Sequence, residues 1–247
     1  MTTNPENRTL RSMSAARRVA LYVNLLALAF VAFASPRSFA QEPASIPEEI
    51  EWTWEVRPQH PDPQLPNVLL LGDSIARNYF PQVTKDLAGI ANVYLMASST
   101  LLGDPRLAAQ IAEFGVLGDV SFRVLHCNNG MHGWGYTEAQ YKAAFPSFLR
   151  AVDSLTDKNG SLIWASTTPV RPDATNGATN PRVDERNTIA LAFVKAAGIQ
   201  LDDQHALMMQ HQDLYEDSIH FNHAGAKIQG DQAAAIIRSA LGIGPQH

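Results

Sequence analysis

Val68-Leu69-Leu70-Leu71-Gly72-Asp73-Ser74 is an apolar run of four that stops at a glycine, an acid and a serine. A short apolar run bounded by a turn signal fits a strand buried on both faces, as in a parallel sheet. Outward from it, strand and helix patterns alternate. Residues 75–87 read as a helix stopped near Gly89, and 92–97 as a second strand. Leu107, Ile111 and Phe114 give 106–114 a helical spacing, and 122–127 is a third strand. Thr137 opens a long helix over 137–155 that contains Pro146; 162–166 is the fourth strand. Residues 169–183, with Pro169, Pro172, Gly177 and Pro181, read as a long loop. A helix over 184–197 ends at Gly198, a short fifth strand follows at 199–201, and a closing helix spans 223–241. Alternating strands and helices predict right-handed crossovers and a three-layer α/β domain over 67–247. In such sheets ligands bind beyond the carboxyl ends of the strands.

The segment before the domain is of a different kind. Residues 1–40 carry five arginines and a single acid, Glu6, and an apolar run over 19–34 broken only by Asn24. With Ser38-Phe39-Ala40 behind it, this reads as a secretory signal cleaved after Ala40, the alternative being an uncleaved anchor. Either reading exports the domain, to the periplasm or beyond, and cleavage leaves it no stable membrane partner. Residues 41–66 hold Pro43, Pro47, Pro58, Pro61, Pro63 and Pro66 and read as an extended arm. Within it, Trp52 and Trp54 either cap the domain by packing or meet a sugar.

Composition narrows the function. Of 247 residues, 45% are hydrophobic and 17% charged, which excludes a disordered or collagen-like chain. A formal charge of −5 argues against a nucleic-acid partner. The one cysteine, Cys127, can make neither an internal disulfide nor a cysteine-rich zinc site. It reads as a small buried residue, and His126 as a packed, hydrogen-bonded one.

Chemistry gathers at the strand ends. Ser74 opens the first helix, where its hydroxyl sits beside free N–H groups and positive potential, or serves only as a cap. Asn128, after the third strand, is a turn former or a side-chain N–H donor to an oxyanion. Asp217 and His220, three apart before the closing helix, form a surface pair or an orienter and a base for an activated serine. His223 reads as structural.

Taken in order, Gly72-Asp73-Ser74, Asn128 and Asp217-x-x-His220 resemble the blocks of the SGNH (GDSL-type) hydrolase superfamily, over residues 67–247. The resemblance implies a flavodoxin-like sheet of five parallel strands in the order 2-1-3-4-5. It implies ester hydrolysis through an acyl-serine, with no metal or organic cofactor. Ser74 would be the nucleophile, His220 the base and Asp217 its orienter. The backbone N–H of Ser74 and the side chain of Asn128 would form the oxyanion hole. The family usually supplies a third donor from a glycine after the second strand; Ala97 or Ser98 stands there in this chain. Its third block, Gly-x-Asn-Asp, becomes His126-Cys127-Asn128-Asn129 and keeps the amide. The stretches 128–134 and 167–171 resemble a bacterial sub-branch, so His132, Trp134 and Arg171, with Asp73, are candidate substrate contacts; loop stabilisation is the other reading of the first three. The chain lacks the Gly-x-Ser-x-Gly elbow of α/β-hydrolases.

The expected function is an exported serine esterase acting on short acyl groups, such as acetyl esters on carbohydrate. An O-acyltransferase for glycans on the same residues, and a silent binding domain, are the alternatives. Oligomeric state is not legible.

Overall fold

The run around Leu69 forms the strand Asn67–Gly72, near the middle of a six-stranded sheet. The structure, a computed structural model, describes residues 44–244, so the signal segment and its cleavage at Ala40 lie outside the described residues. The strands are β1 (Thr53–Val56), β2 (Asn67–Gly72), β3 (Asn92–Ser98), β4 (Phe122–Cys127), β5 (Thr156–Ala165) and β6 (Gln200–Asp202). The helices are α1 (Ser74–Asp86), α2 (Pro105–Gly118), α3 (Glu138–Asp153), α4 (Asn180–Ala196), α5 (Gln204–Met209) and α6 (His223–Ala240).

The sheet order is β1-β3-β2-β4-β5-β6. All neighbours pair in parallel except β1, which runs antiparallel to β3. The five parallel strands therefore follow the expected 2-1-3-4-5 order, and the three-layer α/β/α, flavodoxin-like architecture holds. The sixth strand corrects the reading of 41–66 as an arm alone. Thr53-Trp54-Glu55-Val56 is too short for a convincing alternation, and the prolines around it dominate the composition. Proline is tolerated beside a short edge strand, and an edge is where this one lies.

Side-chain alternation in β2 explains its unbroken apolar run. Val68 and Leu70 join a core with Ile75, Ala76, Tyr79 and Val83 of α1 and Ala233, Ala234 and Ile237 of α6. Leu69 and Leu71 join the opposite core with Leu107, Ile111 and Phe114 of α2 and Tyr141, Phe145 and Phe148 of α3. Each such side chain, fully buried, contributes about 1.5–3 kcal/mol relative to exposure. Thr137 caps α3 in a capping box: its Oγ1 accepts from the Gln140 N–H at 3.3 Å and Gln140 Oε1 accepts from the Thr137 N–H at 2.9 Å.

Several boundaries shift. α4 begins at Asn180, inside the expected loop, because Pro181 suits the first turn of a helix. α5 has six residues, less than two turns, and offers no apolar period to read; its cap is Asp203, which accepts from the Ala206 N–H at 3.1 Å.

Candidate active site

The site is built at the carboxyl ends of β2 and β4, where the strand order reverses around β2. Gly72 is required by close approach: a Cβ on it would lie 2.7 Å from Ala76 Cβ. Asp73 follows as the N-cap of α1 and its Oδ1 accepts from the Ile75 N–H at 2.9 Å. Asp73 is buried, and this capping places it under the site rather than on its surface. Ser74 is the first helical residue, so its backbone N–H has no acceptor one turn back and is one of the free N–H groups at a helix start.

Ser74 Oγ lies 2.7 Å from His220 Nε2. His220 Nδ1 lies 2.8 Å from Asp217 Oδ2. The carboxylate takes the Nδ1–H, which leaves Nε2 as the acceptor for the serine proton. Asp217 Oδ1 also accepts from the backbone N–H groups of Ile219 and His220, both at 2.7 Å. Burial pushes the Asp217 carboxyl upward, but the hydrogen bonds from the His220 backbone and ring and from Ile219 outweigh it. The group sits below its ordinary value of 3.8. The structure thus joins Ser74, His220 and Asp217, which are separated by 146 and 3 residues in the chain.

The loop that carries His220 is fastened at several points. Glu216 N–H donates to His220 O at 2.9 Å and Asn222 N–H to Leu214 O at 2.8 Å. Tyr215 and Phe221 stack with ring centroids 4.3 Å apart. Asn78 of α1 donates from Nδ2 to Phe221 O at 2.8 Å, which ties the loop to the helix that starts at Ser74. Asn222 caps α6 through the N–H groups of Ala224 and Gly225. His223 is the first residue of α6 and is exposed.

Asn128 leaves β4 with its N–H on Leu71 O at 2.8 Å, so it stands beside the end of β2. Its Nδ2 donates to Ala165 O at 3.0 Å, which uses one amide hydrogen and leaves the second for another acceptor. Asn129 braces the loop after β3: its Oδ1 accepts from Leu102 N–H at 2.9 Å and its Nδ2 donates to Thr100 O at 3.0 Å. Ala97 and Ser98 lie within β3, in register with Trp54 and Thr53 of β1, and Ala97 also with Gly72. The Ser98 hydroxyl is turned to Gln110 and Thr100.

His132, Trp134 and Arg171 are each engaged by other parts of the chain. His132 Nδ1 lies 2.8 Å from Glu48 Oε2, and Glu48 Oε1 accepts from Gly133 N–H at 2.6 Å. Gly133 needs its freedom here, with φ of 68° and Leu101 Cβ 2.5 Å from where a Cβ would lie. Trp134 lies under the Arg186 guanidinium, 4.0 Å from the ring centroid. Arg171 is paired to Asp173 at 3.1 Å, and its backbone N–H donates to Ser218 O at 2.9 Å. Its structural contribution to the site is therefore the backbone link to the Asp217–His220 loop.

Two important residues gave no sequence signal. Arg186, fully buried in α4, donates to the carbonyls of Gly130, His132 and Gly133 at 2.9, 2.7 and 3.1 Å. Glu48, in the proline-rich segment, holds the same loop from above. Cys127 is buried, and burial pushes its thiol far up, so it is no nucleophile. His126 is buried with Nε2 2.7 Å from Asp202 Oδ2, the packed role expected of it. Among the described residues no helix is long and apolar enough to cross a membrane.

No protein-family model matches the sequence, and no curated protein sequence does. Solved structures do match. A member of the lipolytic G-D-S-L family from Veillonella parvula superposes with a TM-score of 0.55 at 16% identity, covering 68% of this chain and 95% of that one. An acetylxylan esterase from Geobacillus stearothermophilus gives 0.54 at 14% identity, covering 72% and 94%. The C-terminal catalytic domain of peptidoglycan O-acetyltransferase A from Streptococcus pneumoniae, bearing a methylsulfonyl adduct, gives 0.55 at 19% identity, covering 72% and 96%. The chain therefore has the fold of the SGNH (GDSL-type) proteins.

Proposed function

We propose that the protein is an exported serine esterase of the SGNH type that cleaves short acyl esters on carbohydrate through an acyl-serine. The observation that carries the reading is the continuous chain from Ser74 Oγ to His220 Nε2, 2.7 Å, and from His220 Nδ1 to Asp217, 2.8 Å. His220 takes the serine proton as Ser74 attacks the ester carbonyl. The Ser74 N–H and the second Nδ2 hydrogen of Asn128 hold the developing oxyanion. His220 then protonates the leaving alcohol, and water repeats the sequence on the acyl-enzyme. The short acyl preference and the export, with cleavage near Ala40, rest on the sequence.

Acyl transfer to a glycan hydroxyl needs the same residues, with the acceptor replacing water in the second half. The likeness to the pneumococcal O-acetyltransferase domain supports this second reading. Hydrolysis of p-nitrophenyl acetate, with and without an oligosaccharide acceptor, separates the two by product. The parent is expected to turn over and Ser74→Ala to lose the activity. Equal rates in both would overturn the assignment of Ser74.

A further inference from the structure

β1 brings two tryptophans to the flank of the helix that starts at Ser74. Trp54 pairs in register with Ala97, and Ala97 with Gly72, so Trp54 is level with the last residue of β2. Trp52 is two residues beyond, toward the carboxyl end, where Ser99 N–H donates to Trp52 O at 3.1 Å and Trp52 N–H to Ser99 Oγ at 2.9 Å. Residues two apart on a strand share a face. Trp52 meets His132, four residues after Asn128, edge-on at 5.7 Å. Trp54 faces outward and is 52% exposed.

Arg77, one helical turn after Ser74, joins the two rings: its guanidinium carbon lies 5.3 Å from each centroid. The other arginines of the region are each bonded to an acid: Arg57 to Glu55, Arg106 to Glu51 and Asp104, Arg171 to Asp173, Arg182 to Glu138. Arg77 has no carboxylate partner among the described residues, although the chain as a whole is acidic. It is exposed and held in place by two ring faces.

We propose that Trp52, Trp54 and Arg77 form a glycan-binding platform beside Ser74 that takes a sugar ring bearing a carboxylate. An exposed indole face offers apolar area for the C–H face of a sugar at low entropic cost. The Arg77 guanidinium, held over both rings, presents two parallel N–H donors to a carboxylate. The platform holds the unreacted part of the substrate and sets its register, while the ester lies over Ser74. The proposal rests on the esterase or acyltransferase reading of the same site, and it narrows the alcohol part of the substrate to an acidic oligosaccharide.

The test is calorimetric binding to the full chain carrying Ser74→Ala, so that turnover plays no part. The probes are an unacetylated tetragalacturonide, a xylan tetrasaccharide bearing one glucuronate, and the uncharged galactan tetramer. At least one acidic probe is expected to bind about tenfold or more tighter than the neutral one, an advantage that shrinks with added salt. Trp54→Ala is expected to weaken the acidic probe about tenfold, and Arg77→Gln to remove the preference for acid. Trp54 and Arg77 are exposed, and a thermal melt confirms that each variant is folded. Absence of binding by both acidic probes, or equal affinity for acid and neutral, would overturn the platform. So would unchanged affinity in folded Trp54→Ala and Arg77→Gln. The parent's turnover of p-nitrophenyl acetate is measured alongside. Binding without turnover keeps the platform and sinks the esterase reading. Turnover without binding does the reverse.

Discussion

At the scale of single residues, the triad divides its labour in a way that substitution can separate. Asp217 accepts three hydrogen bonds, two from backbone N–H groups and one from the His220 ring. Asparagine in its place keeps an oxygen for the backbone pair but no longer takes the Nδ1 proton. Asp217→Asn is therefore expected to fold normally by circular dichroism and to lose kcat by up to about 10⁴-fold, since the imidazole is no longer held with Nε2 free. If Asn128 donates to the oxyanion as proposed, Asn128→Ala is expected to lower kcat by about 10²–10³-fold with little change in KM. Because Asp217 is depressed below its ordinary value, its contribution to loop stability is present above pH 3.8 and is lost as pH falls through the lower folded value. As the base, His220 accepts the Ser74 proton only with its Nε2 free of one. The triad was legible because each member stands at the end of a readable strand or before a readable helix. Glu48, Arg77 and Arg186 were not, because a lone charged residue in a helix or a proline-rich stretch reads as a solvated side chain.

At the scale of elements, two contacts hold the site's shape. The turn from β2 to α1 packs helix against strand so closely that Gly72 admits no side chain. Gly72→Ala is expected to cost about 1–3 kcal/mol of stability in denaturant unfolding, as the strand and helix are forced apart. The 130–134 loop hangs on Arg186, whose buried guanidinium donates to three of its carbonyls. Arg186→Met is expected to cost about 3 kcal/mol through unsatisfied carbonyls, and to raise KM as the loop loosens. Normal stability in that variant would show that the loop is held elsewhere. The elements that sequence revealed best were those with long apolar periods, α3 and α6, and the uninterrupted strands β2 and β4. β1 escaped because four residues between prolines carry too little pattern, and α5 because it is short. In both cases tertiary contacts, not local propensity, decide the structure.

At the scale of the whole molecule, the segment ahead of the five-stranded core is fastened to the domain by its own polar bonds. Ser45 Oγ donates to Asp104 at 2.6 Å, Ile46 N–H to the Tyr136 hydroxyl at 2.7 Å, and Glu51 pairs with Arg106 at 2.9 Å. Burial pushes the Asp104 carboxyl up, but Arg106, Ser45 and Tyr136 outweigh it and hold the group at about 2. The Glu48–His132 pair adds a pH dependence. Burial pushes the His132 ring down, but the hydrogen bond to Glu48 and the charges of Asp73, Glu48 and Glu51 raise it above 6.5. A raised folded value means that its contribution is complete below pH 6.5 and fades as pH rises through the folded value. Burial likewise pushes Glu48 up, and His132, Gly133 and Arg186 bring it below 4.5, so its share is present above pH 4.5 and fades on acidification. The segment is expected to be held best between those limits, so its amide protection factors, which are corrected for base-catalysed intrinsic exchange, should fall at alkaline pH; in His132→Gln that alkaline loosening should disappear. Protection of residues 44–56 that does not change with pH in the parent would contradict it. The central claim, that Ser74 is a nucleophile activated by His220, is tested most directly by a sulfonyl fluoride trap. Peptide mapping by mass spectrometry after reaction with phenylmethylsulfonyl fluoride is expected to find one adduct, on Ser74, and none in His220→Ala. Esterase turnover that persists with Ser74 unmodified, or an adduct on Ser74 formed as fast without His220, would contradict it.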